Sequence, residues 1–208
     1  MSVSATTPAA HGDAHPQVHT YQRYPTMLPI STIGMLLFLL SELALFGSFF
    51  MYYGYERILD DMTWPLEPFH IPADKTSINT AILVASSFTC ELALVGLMRR
   101  RRGMLVGWLL VTFVMGAIFL GLQAVEYAEI GFTPKDGAFG SIFFSLTGLH
   151  GFHVFVGLVL LAFCIIRSIR GHFSPEAHPG LLVSVVYWHF VDVVWIILYT
   201  VVYLLPDL

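Results

Sequence analysis

The sequence predicts an all-α integral membrane bundle of five transmembrane helices, and three observations carry that reading. Charged residues make up 12% of the 208, about half the roughly 25% usual in a soluble domain. The mean hydropathy is +0.74. Five apolar runs are each long enough to cross hydrocarbon, which takes about 20 helical residues. The formal net charge of −4 is small, so no electrostatic footprint points to a nucleic-acid partner.

Residues 1–28 read as a flexible polar tail with His11, His15 and His19 among prolines. Sparse histidines in such a tail do not make a metal site, and no basic start followed by an apolar stretch marks a signal peptide. Residues 29–208 read as the membrane domain. Its first helix spans about 30–53 and ends in the interfacial tyrosines Tyr52, Tyr53 and Tyr55. An acidic, proline-rich loop follows, with Trp64-Pro65 at the position of an interfacial anchor. The second helix, about 77–98, is rich in Ser, Thr and Ala, small residues that favour close packing in lipid. Arg99-Arg100-Arg101-Arg102 then make a tight basic turn. The third helix runs over about 104–125, the fourth over about 138–166 and the fifth over about 181–205. Cys90 and Cys164 lie inside apolar runs and read as buried thiols without a disulfide.

Lysine and arginine placement sets the expected orientation. Arg23, the four-arginine turn, Arg167 and Arg170 fall on one side; Arg57, Lys75 and Lys135 fall on the other. The positive-inside rule then puts the amino terminus in the cytoplasm and the carboxyl terminus outside.

The chemistry concentrates in five ionisable groups at bilayer depth: Glu42, His150, His153, His189 and Asp192. A charge there costs about 2.5–3.5 kcal/mol even on the gentlest scale, so each needs a partner. With a rise of about 1.5 Å per residue, all five fall in one slab of the membrane. His150/His153 and His189/Asp192 are i,i+3 pairs, each projecting from one face of its helix. Three readings fit this slab: a haem or metal site, a proton route, and a polar clasp fixing the fourth helix to the fifth. Spacing alone favours the clasp. Glu42 is either a protonatable switch or a neutral acid donating one hydrogen bond to a neighbouring helix. Glu91 is expected to reach interfacial water or Arg99, and Glu126 and Glu129 to be solvated at the outer edge. Arg167 and His172 share one short inner turn, suited to an anionic lipid headgroup or simply to positive-inside signalling.

Several strings carry a resemblance. L-Q-A-V-E-Y, F-T-P-K-D-G-A-F-G-S-I-F-F, T-G-L-H-G-F-H-V and Y-W-H-F-V-D-V-V-W-I-I-L-Y, over residues 123–203, closely resemble subunit III of haem–copper cytochrome c oxidases. S-E-L-A-L-F-G-S-F-F around Glu42 resembles the same family, so the likeness covers about residues 30–205. Many members have seven helices; this chain resembles the five-helix bacterial form. The resemblance implies an accessory subunit of a terminal oxidase in the bacterial cytoplasmic (inner) membrane. It would be without cofactor itself, with haem and copper in partner subunits I and II. It would support proton uptake and stabilise the oxidase core. It further implies bound phospholipid and leaves membership of a respiratory supercomplex open. Glu42 matches the family's carbodiimide-reactive glutamate, and Arg167 and His172 match positions that contact phospholipid headgroups. The quinol oxidase equivalent is the alternative within the class. A stand-alone membrane cytochrome b or a transporter is the alternative outside it.

Overall fold

A computed structural model describes residues 30–59 and 73–205. The tail of residues 1–28 and the Trp64-Pro65 anchor lie outside the described residues. Among the described residues there are five helices long and apolar enough to span a membrane. They are α1 (Ile30–Leu59), α2 (Ala73–Met98), α3 (Arg102–Glu129), α4 (Gly137–Ile169) and α5 (Pro179–Tyr199), the last extended by a π-helical turn, Thr200–Leu204. Each helix outruns its apolar stretch by some residues, because backbone hydrogen bonding continues past the hydrocarbon edge into the interface.

The packing is a ring of four with a fifth helix laid against it. α2 packs on α3, α3 on α4, α4 on α5, and α5 back on α2; α1 touches only α4 and α5 to any extent. Burial follows this plan: 56% of the most apolar window of α5 is buried, against 11% for α1. α5 is therefore the central helix and α1 the peripheral one.

Close approaches are made by glycine. The α2–α3 turn is so tight that a Cβ on Gly96 would lie 2.8 Å from the backbone nitrogen of Leu105. Arg101 N–H reaches back to the carbonyl of Gly96, and Arg100 N–H to Leu97, a helix stop of the type usually closed by glycine. Here Arg100 takes the left-handed conformation, φ 55°. At the centre of the ring, the indole of Trp188 on α5 slots between Gly116 of α3 and Gly157 of α4. Added Cβ atoms would come within 2.5 and 2.8 Å of it. Its Nε1–H donates to Ser86 Oγ of α2 at 2.9 Å. One side chain thus touches all the other ring helices. Pro179 opens α5 at a position where its missing N–H costs nothing.

Candidate functional site: the intramembrane polar pairs

α5 presents a stripe at helical spacing, and α2 answers it with serines and threonines. Trp188 meets Ser86. Ser87 Oγ donates to Asp192 Oδ2 at 2.6 Å. Trp195 Nε1–H donates to Thr80 Oγ1 at 2.9 Å, and the hydroxyls of Ser77 and Tyr199 share a hydrogen bond at 2.6 Å. Nearer the arginine end, His189 Nε2 lies 2.8 Å from Glu91 Oε1. In hydrocarbon no hydrophobic force draws helices together, so packing and such hydrogen bonds hold them.

α4 sends its histidines elsewhere. His153 Nε2 sits 3.1 Å from Glu42 Oε2 of α1. Its Nδ1 lies 2.8 Å from the carbonyl oxygen of Leu149, which can only accept, so Nδ1 carries a hydrogen and donates. That fixes what stands between Nε2 and the carboxyl group. Either neutral imidazole accepts from protonated Glu42, or imidazolium donates to the carboxylate. The pair is largely enclosed, the side chains 7% and 16% exposed, and Phe46 covers the imidazole at a ring separation of 5.1 Å. Tyr187 of α5 donates to the His153 carbonyl at 3.1 Å.

His150 is wholly buried, its ring lying 4.8 Å from the Trp195 ring at 31° and edge-on to Phe119 at 5.9 Å. Neither ring nitrogen has a hydrogen-bond partner among the described residues. It packs as an aromatic plate.

The five expected groups do not form one network. Asp192 and His189 bind α2, His153 binds α1, and His150 stacks on α5. The expected α4–α5 clasp is instead an α2–α5 seam and a separate α1–α4 pair. The physical reason is angular: residues i and i+3 diverge by about 60° around a helix of 3.6 residues per turn, enough in a bundle to face two different neighbours. Glu91 turns to His189 rather than to Arg99.

Glu126 is the group that sequence reading missed. It is buried, not solvated. Thr76 Oγ1 donates to its Oε2 at 3.0 Å and the Tyr203 hydroxyl to its Oε1 at 2.7 Å. Tyr203 lies on the π-helical turn, where Leu205 N–H bonds Thr200 O and both Val202 and Tyr203 are buried. Such a turn has no apolar-period signal in sequence. Glu129, by contrast, is exposed and pairs with Lys75 at 2.7 Å.

Arg167 ends α4, exposed, its guanidinium 5.2 Å from the centre of the Phe173 ring. His172 is exposed on the loop that follows. Among the described residues, no group of three or more His, Cys, Asp or Glu is placed to hold a metal ion. Cys90 and Cys164 are free and buried.

The family model described as cytochrome c oxidase subunit III matches residues 20–206. A relative from Thermostichus vulcanus, cytochrome c oxidase subunit 3, is 39% identical over 174 residues, 83% of this chain and 86% of that protein. The protein of the same name from Scyliorhinus canicula is 40% identical over 180 residues, 82% of this chain and 67% of its own length. That from Heterololigo bleekeri is 40% identical over 197 residues, 88% and 74% respectively.

Proposed function

Because the chain belongs to the cytochrome c oxidase subunit III family, we propose that it is an accessory, non-catalytic subunit. It stabilises the catalytic subunit of a proton-pumping terminal oxidase and supports its proton uptake. Electrons come from cytochrome c, as the names of its relatives suggest. Haem and copper reside in partner subunits I and II, and this chain carries phospholipid. Its amino terminus lies in the cytoplasm and its carboxyl terminus outside, in the bacterial inner membrane.

The observation that carries this reading is the Glu42–His153 pair. An acid hydrogen-bonded to an imidazole inside a membrane is the kind of pairing that serves proton relays, because a proton can pass from one member to the other without changing their summed charge. The seat of the pair under α1, the least buried helix, leaves its carboxyl partly open at the edge of the bundle. His153 is engaged at both ring nitrogens and His150 is walled in by rings, which favours packing and proton exchange over ligation as their work. Arg167 and His172 are exposed together at the arginine end, a placement suited to the phosphate of a lipid headgroup.

The test is Glu42→Gln in the intact complex. Assembly is expected to be unchanged, and activity to fall progressively during sustained turnover as proton delivery lags. Undiminished activity through prolonged turnover would reduce Glu42 to packing. Metal analysis of the same complex, partner by partner, checks where haem and copper reside.

A further inference from the structure

We infer that the cleft between the α2–α3 turn and the α4–α5 loop is a built site for a phosphate-bearing anion. It is separate from the surface around Arg167 and His172. The cleft holds about 240 Å³ and is lined by Arg100, Arg101, Arg102, Ser168, Gly171 and Phe173, among others. Neither Arg167 nor His172 lines it.

Three guanidinium groups meet at this cleft, and the structure gives them different tasks. Arg100 is spent on Glu176, with which it pairs across the mouth. Arg102 donates Nε–H to the carbonyl of Ser168 at 2.7 Å, which fixes its guanidinium against Gly171 and leaves its terminal nitrogens available. That seat needs Gly171: its φ is +76°, and a Cβ there would lie 3.3 Å from Arg102 Nη1. Arg101 has no side-chain partner among the described residues and is exposed. Its residue caps the start of α3 without a side-chain hydrogen bond, so the first-turn N–H groups of α3 add their partial positive charge.

A second, independent feature marks the cleft as a receptor. Ser168 is 1% exposed and lines the cleft, yet its hydroxyl has no hydrogen-bond partner among the described residues. A buried hydroxyl left unpaired is costly. A bound phosphate oxygen would accept from it while the arginine fork neutralises the charge. Phe173 and Leu105 give the cleft an apolar wall, as a ligand with an apolar portion beside its phosphate requires. The cleft lies where α2 and α4 end and α3 begins, so the phosphate is that of a phospholipid or a free anion drawn to the same place.

The experiment uses the intact complex in detergent, stripped of lipid, with bound adducts counted by native mass spectrometry. Phosphatidylglycerol and inorganic phosphate are added in separate arms, with phosphatidylcholine for comparison. Saturable retention of either phosphate carrier supports the site, and the arm in which it occurs names the source. Arg101→Gln should weaken that retention about fivefold, the loss expected for one basic residue near a membrane surface. Ser168→Ala should weaken it severalfold, and Arg99→Gln, on the same turn but outside the cleft, should leave it unchanged. Retention untouched by both Arg101→Gln and Ser168→Ala overturns the site. So does an equal loss in Arg99→Gln, which would mark general surface charge.

Discussion

The two sides of α5 are held by different physics. Toward α2 it forms a seam of side-chain hydrogen bonds at nearly every turn, from His189–Glu91 through Trp188–Ser86, Asp192–Ser87 and Trp195–Thr80 to Tyr199–Ser77. Toward α1 it offers an apolar groove, lined by Leu36, Leu39, Leu40 and Leu43 against Phe190, Val193, Val194 and Ile197. α1 is pinned at its far end, where Tyr53 donates to the Val201 carbonyl and Arg57 to that of Leu205, and midway along by Glu42–His153. The seam uses groups that keep their hydrogens at any ordinary pH for the most part: hydroxyls and indoles. Among the described residues, the α1 seat rests midway along the helix on the single Glu42–His153 pair. Five contacts spread along α5 make its seat on α2 redundant, whereas α1 depends halfway along its length on one side-chain pair among the described residues.

The sharpest way to break the redundant side is Trp188→Ala. It empties the slot between Gly116 and Gly157 and removes the indole N–H that Ser86 Oγ accepts, leaving Ser86 its own bond to the Leu83 carbonyl. A cost of about 3–5 kcal/mol is expected for losing a large buried aromatic, read as a lowered denaturant midpoint for the assembled subunit. Gly157→Ala approaches the same point from the other side: the added methyl would sit 2.8 Å from the indole. A loss of about 1–3 kcal/mol follows from overpacking, and Trp188 fluorescence should shift with it.

Asp192→Leu ranks next. Only the Ser87 contact is removed, and interhelical hydrogen bonds in membranes average about 0.6 kcal/mol with a maximum near 1.7. Cysteine cross-linking should loosen between α2 and α5 while α4–α5 cross-links hold. Loosening at α4–α5 alone would contradict the seam. Glu42→Gln, on the α1 side, should move stability by less than about 1 kcal/mol, since an amide still reaches His153. Its readout is activity over repeated turnovers.

The smallest effect concerns the loop between α4 and α5. The Glu176 carboxyl is held below the usual range by its own backbone N–H, then by Ser174 and Arg100. A lowered value means the stabilisation is complete above the ordinary carboxylate pKa and lost only as pH falls through the lowered one. Protease nicking of this loop should therefore be flat from pH 7 down to the ordinary glutamate range and rise below it.

The helices were legible in sequence because each must offer a long uninterrupted apolar run, and nothing else in a bilayer can stand in for it. The need of Glu42, His153, His189 and Asp192 for polar partners was legible too, since a bare charge in hydrocarbon is costly. Direction around the axis was not. Whether His153 looks at α1 or α5 depends on how α1 docks, which no local pattern states. The serines and threonines of α2 read as small residues for close packing, but they are the hydrogen-bonding half of the seam. Burial of Glu126 depends on a departure from α-helical winding at Thr200–Leu204, which leaves no mark in residue periodicity.

Gly116, Gly157 and Ser86 all belong to helices synthesised before α5. Until Trp188 arrives, two notches and one hydroxyl in the nascent α2–α4 assembly stay unfilled. The last of these spans to emerge from the ribosome thus completes the ring, like a keystone set after the arch stones. A chain halted before α5 should remain a loose, protease-sensitive intermediate, and supplying α5 as a separate peptide should tighten it only if the indole is present.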